Sequence, residues 1–224
     1  HDRAELYVTL NESLLQLREL FLFRQMLVRQ KHGFQVRRGE KNLIMEKSST
    51  KTTISQIGRH MVNECNKQIE KVEKKIKDII DADEELKRTY ELITTIPGIG
   101  TQNAVCLLTF TNNFTRFGYN ARKIACYYGI APFGRDSGTS VHSDPHVHYM
   151  ANRMLKAMLT QAALASIRCC APISHYYHRL LSLGKKKQVA LNNVKNKLIH
   201  IITAMARNNQ PFDSGYININ QLVA

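Results

Sequence analysis

Between residues 48 and 81, Ile54, Ile57, Met61, Cys65, Gln68 or Ile69, Val72, Ile76 and Ile79 or Ile80 recur every three to four positions, with Lys and Glu on the other faces. That repeat is the period of an α-helix, so the sequence predicts a long amphipathic, coiled-coil-like spacer over 48–83. It admits two uses: an antiparallel hairpin with the helix before it, or an arm that pairs two copies. The preceding stretch, 8–32, puts Leu10, Leu14, Leu17, Phe21, Met26 and Val28 near helical spacing, with Asn11 or Ser13 suited to cap the start. Residues 33–50 are polar, carry Gly33, Gly39 and a Ser-Ser-Thr run, and read as a connection. The chain opens without methionine and reads as the tail of something larger over 1–47.

Beyond the spacer, helices are expected at 84–95, 102–110, 120–128, 147–169, 172–182 and 187–208, punctuated by Pro97, Pro132, Pro145, Pro172 and Pro211. A short β-pair around 141–147 is the one place for strands. The fold class is therefore mainly α, with long coiled-coil-like helices, a compact helical domain over 84–213 and a tail over 214–224. No apolar run approaches the roughly 20 residues that span a bilayer, and the first 30 residues lack a signal-peptide pattern, so a cytoplasmic protein with no membrane partner is expected. The five cysteines (Cys65, Cys106, Cys126, Cys169, Cys170) contain no CxxC pair and suggest neither a disulfide framework nor a thiolate zinc site.

Charge narrows the partner. The net charge is +14, and it is unevenly spread. Residues 1–95 carry 18 Lys/Arg against 15 Asp/Glu, whereas 96–224 carry 14 against only Asp136, Asp144 and Asp213. A segment so poor in acid repels itself unless a polyanion lies nearby, and nucleic acid is the commonest one.

Two motifs carry chemistry. Residues 92–108, LITTIPGIGTQNAVCLL, fit a helix-hairpin-helix: Gly98 and Gly100 permit a tight turn, after which the amides of Gly100 and Thr101 can face a phosphate oxygen. The other reading is a tight αα turn without a ligand. Residues 129–140, GIAPFGRDSGTS, read as a Gly/Pro-rich loop joining helices, with Arg135 placed to hold a phosphate and Ser137 before Gly138 as a loop-borne hydroxyl. Ser-Gly in a polar loop is also an ordinary turn. His142, His146 and His148, with His175 and His178, lack cysteine and acid partners, so nucleic-acid contact is expected in place of a metal site. Lys185, Lys186 and Lys187 form a solvated basic patch suited to phosphate. Two-metal phosphoryl transfer needs several converging carboxylates, which 96–212 does not supply.

Ile96-Pro-Gly-Ile-Gly, 117–132 (FGYNARKIACYYGIAP), Ser137-Gly138, Ala151-Asn152-Arg153-Met154-Leu155-Lys156, and the closing run from Lys197-Leu198 to Pro211-Phe212-Asp213 occur in order across 85–213. In this the chain resembles the IS-one-ten family of transposases, the bridge-RNA-guided serine recombinases of bacterial insertion sequences. The resemblance implies Ser137 as the catalytic serine attacking DNA phosphodiesters, Asn152, Arg153 and Lys156 among the DNA-binding positions, and a guide RNA as partner of the full-length protein. It also implies an N-terminal RuvC-like domain whose four acids hold Mg before residue 1; Asp2 is a poor match for any of them. No cofactor is expected in this chain, which alone is expected to lack strand exchange, and homo-oligomerisation is expected through the coiled coil. The sequence departs from the family pattern at Ala151, where glycine is usual, at Lys156, where arginine is usual, and over 142–148, where a more basic stretch is usual. The alternative is a non-catalytic helix-hairpin-helix module that binds DNA or dimerises; a coiled-coil adaptor with incidental basicity is a third reading.

Overall fold

The computed structural model describes residues 11–39, 49–131, 133–137, 141–146 and 151–215, with the backbone alone at 38, 39 and the two strands. Among these, eight α-helices and one antiparallel hairpin follow in the order α1 (Glu12–Gly39), α2 (Ser49–Ala82), α3 (Glu84–Thr94), α4 (Thr101–Thr111), α5 (Ala121–Tyr127), β1 (Phe133–Ser137), β2 (Val141–His146), α6 (Arg153–Cys169), α7 (Ala171–Ser182) and α8 (Lys187–Asn208). The architecture is mainly α, as the periodicity predicts. Two compact units divide at Glu84 and Glu85.

In the first unit α1 and α2 pack as an antiparallel hairpin. Asn11 Nδ2 donates to Asp83 Oδ2 at 3.3 Å, and Arg24 Nε pairs with Glu73 Oε1 at 2.7 Å, so the start of one helix lies beside the end of the other. Asn11 also caps α1, its Oδ1 accepting from the Ser13 amide at 3.1 Å. The seam is made by Leu14, Leu17, Phe21 and Leu27 on α1, and by Val62, Cys65, Ile69, Val72, Ile76 and Ile80 on α2. The α2 spacing of three and four is coiled-coil packing used within one chain.

Three expectations need correction here. Helix α1 does not stop at Gly33 but continues to Gly39, because a solvent-facing glycine costs only about 1 kcal/mol inside a helix that other contacts hold. Met26 is exposed while Leu27 is buried, and Ile54 and Ile57 near the start of α2 are exposed as well. The contact with α1 sets the seam, and the sequence period alone shifts it by a residue.

The second unit is built around α4, which is buried on every side from Ala104 to Thr111. Such a helix must satisfy its own polar groups. Thr109 and Thr111 do so by donating to the Val105 and Leu107 carbonyls at 2.9 and 2.6 Å. Helix α6, with Leu155, Leu159, Ala162 and Ala163 buried, packs on it, and α8, with Ala190, Val194, Leu198, Ile199 and Ile202 buried, packs in turn on α5, α6 and α7. Helix α7 starts with Pro172 in its first turn, a place where a missing amide costs nothing. After α4 the chain turns through three consecutive left-handed residues, Asn112, Asn113 and Phe114 (φ 52°, 49° and 66°). Asparagine tolerates this conformation; phenylalanine does so at a cost of about 1 to 2 kcal/mol. Phe114 is held there by a bond from its amide to Thr111 Oγ1 (3.0 Å), by burial of its ring, and by stacking on Tyr119 with centroids 6.1 Å apart.

Candidate nucleic-acid interface

The segment 129–140, expected as a loop joining helices, instead feeds a β-hairpin. Cα partners are Phe133 with His146, Arg135 with Ser143, Asp136 with His142 and Ser137 with Val141, with a bulge between Phe133 and Arg135. Ser137 is thus the last residue of β1. The strand was missed because FGRDS shows no alternation of apolar and polar residues, whereas the pairing considered at 141–147 is present over Val141–His146. Both ends of the hairpin segment are tied to the helical body. Asn192 Nδ2 of α8 donates to the Ile130 carbonyl at 2.8 Å, and the Asn152 amide donates to the Tyr127 carbonyl at 3.4 Å.

Where the chain returns, it enters α6, which begins at Arg153 and not at 147. Asn152 is its N-cap: Oδ1 accepts from the Met154 and Leu155 amides at 3.0 and 3.3 Å. That oxygen is committed to the helix, so Asn152 has a structural task whatever else it touches. Arg153 is exposed and Lys156, one turn on, is half-buried. The hairpin base, Arg153 and Lys156 therefore share one end of α6.

The Gly98 to Thr101 turn lies toward the other end. Gly98 has φ +94°, and a Cβ there would fall 2.3 Å from the Ser166 amide nitrogen. Its task is close backbone packing on α6, as well as turning. Gly100 is the exposed, extended N-cap of α4 with no side chain capping the amides and open space around its Cα. Thr101 is exposed and its Oγ1 is hydrogen-bonded by Tyr90 Oη at 3.0 Å. Ser166 and Arg153 are 13 residues apart on one helix, or about 20 Å. The expected site residues therefore form two groups and not a single constellation.

Basic positions that sequence reasoning did not single out line two clefts. One, of about 480 Å³, lies between the start of α5 and the end of α8, with Arg122, His200 and Arg207 on its walls and no acid. The other, of about 870 Å³, lies between α7 and α8, where Arg179 and Lys197 sit 5.8 and 5.6 Å from the Tyr176 ring centroid. His175 lines this cleft, and His178 is exposed on the same helix. His142 and His146 fall on β2, whose side chains, like residue 148, lie outside the description.

The buried thiol is no competitor for the nucleophile role. Burial pushes the Cys106 pKa up to about 12, and the adjoining Tyr128 hydroxyl is raised well above its ordinary value by its own burial and by Cys106, so both stay protonated at neutral pH. Among the described residues no three His, Cys, Asp or Glu side chains gather as a metal site, and no helix is long and apolar enough to cross a membrane.

The fold and its surfaces define a mainly helical, strongly basic, acid-poor domain that carries a short hairpin. Residues 90–178, from α3 through the turn, the hairpin and α6 into α7, match the transposase IS116/IS110/IS902 family. It is similar to the pilin gene-inverting proteins of Moraxella bovis and Moraxella lacunata, each 29% identical over 146 residues, 65% of this chain and 45% of theirs. An insertion element IS110 protein of 43.6 kDa from Streptomyces coelicolor is 32% identical over 123 residues, 55% of this chain and 30% of that protein. The chain spans less than half the length of these relatives.

Proposed function

We propose that this chain is the DNA-binding and strand-transfer part of an insertion-sequence transposase and that Ser137 is its nucleophile. The observation that carries the proposal is the family match over 90–178, which contains the hairpin ending β1 at Ser137. Similarity to proteins named for inverting a pilin gene supports rearrangement of DNA as the outcome. The acid-poor composition beyond residue 96 supports a polyanionic substrate.

In this reading the Ser137 oxygen attacks the phosphorus of a DNA phosphodiester. A serine O–P bond forms, the P–O bond to the leaving deoxyribose breaks, and that sugar oxygen takes up a proton as the serine gives one up. The energy of the phosphodiester is kept in the serine ester, and a hydroxyl of another strand reverses the step to complete the exchange. Arg135, two residues before Ser137 on β1, is proposed to neutralise the phosphate, bidentate contact being what a guanidinium does best. Arg153 and Lys156 hold the backbone beside the hairpin base, while Gly100 and Thr101 offer amides at the uncapped start of α4, as in a helix-hairpin-helix. Such contacts position DNA without reading its sequence, which fits the proposal that a guide RNA chooses the target. A magnesium ion held by a RuvC-like part of the full-length protein is what the resemblance implies, and no step here runs through it.

Pairing of two copies through the α1–α2 hairpin belongs to the same proposal. Its support is that Leu15, Leu22, Phe23 and Met26 stay exposed on α1 although the seam with α2 is already filled.

The test is recombination by the protein that carries this chain, with Ser137→Ala compared to wild type. Loss of at least about a thousandfold in rate is expected for removal of a nucleophile. Retained recombination at normal yield would take Ser137 out of that role.

A further inference from the structure

Lys195 lies on the inward face of α8 between buried Val194 and Leu198, with only 6% of its surface exposed. Its ammonium donates to Thr160 Oγ1 of α6 at 3.4 Å, and that hydroxyl spends its own proton on the Lys156 carbonyl at 2.7 Å. Burial lowers the pKa of Lys195, and the positive charge of Lys156 lowers it further. Among the described residues, neither lysine forms a hydrogen bond or ion pair with a carboxylate. The only acids between residues 96 and 212 are Asp136 and Asp144, on the two strands.

This is an unfavourable arrangement for a protein at rest. Buried charges are normally paired, yet the Lys195 ammonium is buried with a neutral hydroxyl as its partner and feels the positive charge of Lys156. Lysine carries three donors, and Lys195 uses one of them in the protein. An anion between the two ammoniums would use the remaining donors and remove the repulsion.

Position says which anion. Lys156 follows the α6 cap Asn152 by one turn, and the Asn152 amide binds the Tyr127 carbonyl. Lys195 follows Asn192 by three residues, and Asn192 binds the Ile130 carbonyl. Both lysines therefore stand about one helical turn, some 5 Å, from the points where the chain leaves the body for the Ser137 hairpin and returns from it.

We infer that Lys195 and Lys156, with Thr160 holding the Lys195 ammonium, form a phosphate-binding site that takes a DNA backbone phosphate at the base of the hairpin. The inference rests on the transposase reading and adds Lys195, positioned by Thr160, to it. Because Lys195 is buried and Lys156 only half-buried, the phosphate approaches from the Lys156 side.

The test uses the 224-residue chain and a fluorescent duplex whose affinity is followed against salt. Lys195→Met keeps the length and apolar stem of the side chain and removes the charge. It is expected to melt no lower than wild type, to bind DNA several-fold more weakly whatever the sequence, and to lose about one unit from the slope of log affinity on log salt. Lys195→Arg is expected to restore most of the slope. Inorganic phosphate should raise the melting temperature of wild type above an equal ionic strength of chloride, and the rise should vanish in Lys195→Met.

A folded Lys195→Met with unchanged affinity and slope would overturn the site while leaving the transposase reading in place. A phosphate effect on melting with no change in DNA slope would assign the pair to free phosphate, and would overturn it as a DNA site. A wild-type chain with no salt-dependent DNA affinity would remove the inference and the reading together. Should Lys195→Met fail to fold, Lys156→Met, on the half-exposed partner, carries the same expected loss of slope, and its absence would overturn the site equally.

Discussion

Gly98 and Gly100 lie two residues apart in one turn, and their tasks differ. Alanine at Gly98 must hold φ +94° and drive a methyl into the backbone of Ala165 and Ser166. Strain of 1 to 3 kcal/mol and overpacking of similar size add to about 4 kcal/mol. Urea denaturation of Gly98→Ala should show a loss of that order, against less than about 1 kcal/mol for Gly100→Ala, whose Cβ meets open space. Equal stabilities for the two variants would refute the assignment of Gly98 to packing. The motif PGIG announces a turn in the sequence, but which glycine packs and which stays exposed depends on α6, some 65 residues later in the chain. The same limit hid Lys195. In an amphipathic helix a lysine reads as solvent-facing, and only the approach of α6 to α8 shows it buried beside Thr160. Ser137 was legible as a hydroxyl before glycine, and its proposed role as nucleophile came from the resemblance alone.

Elements were mostly legible where local chemistry fixes their ends, the exception being the start of α6, expected at 147 although Asn152 caps it. Asn11, Asn120 and Asn152 each cap a helix by accepting amides of its first turn, and Asn209 in the left-handed region ends α8. These are short-range signals, so the boundaries of α3, α4, α5, α7 and α8 fall within a residue or two of expectation. The hairpin gave no such signal, since β1 pairs by backbone bonds and FGRDS carries no alternating pattern. The seam of α1 was displaced for a related reason. Several apolar residues on that helix compete for one partner, and packing on α2 chose Leu27 over Met26. The residues left over define a prediction. Phe23 is 48% exposed on the α1 face that also carries Leu15, Leu22 and Met26, and Phe23→Glu should weaken self-association at least tenfold in sedimentation equilibrium while leaving the helical circular dichroism unchanged. Identical association of variant and wild type would show that this face does not pair two copies.

For the whole molecule, the fold and the charge carry different information. Helical packing around α4 explains why 85–215 holds together, and it requires nothing about DNA. The partner is implied by what the sequence omits: between residues 96 and 212 there are two carboxylates, while Arg122, Arg207, Arg179, Lys197, Lys156 and Lys195 gather on clefts and at the hairpin base. The match to a transposase family over 90–178 supports the proposal of a specific chemistry at one hydroxyl. The most direct test of that chemistry is to trap the protein that carries this chain on labelled element-end DNA, digest it, and locate the attached nucleotide by mass spectrometry. The account predicts a nucleotide bonded to the peptide that contains Ser137, and none in Ser137→Ala. Recombination that proceeds with the nucleotide on another residue, or with no protein–DNA adduct at all, would contradict it.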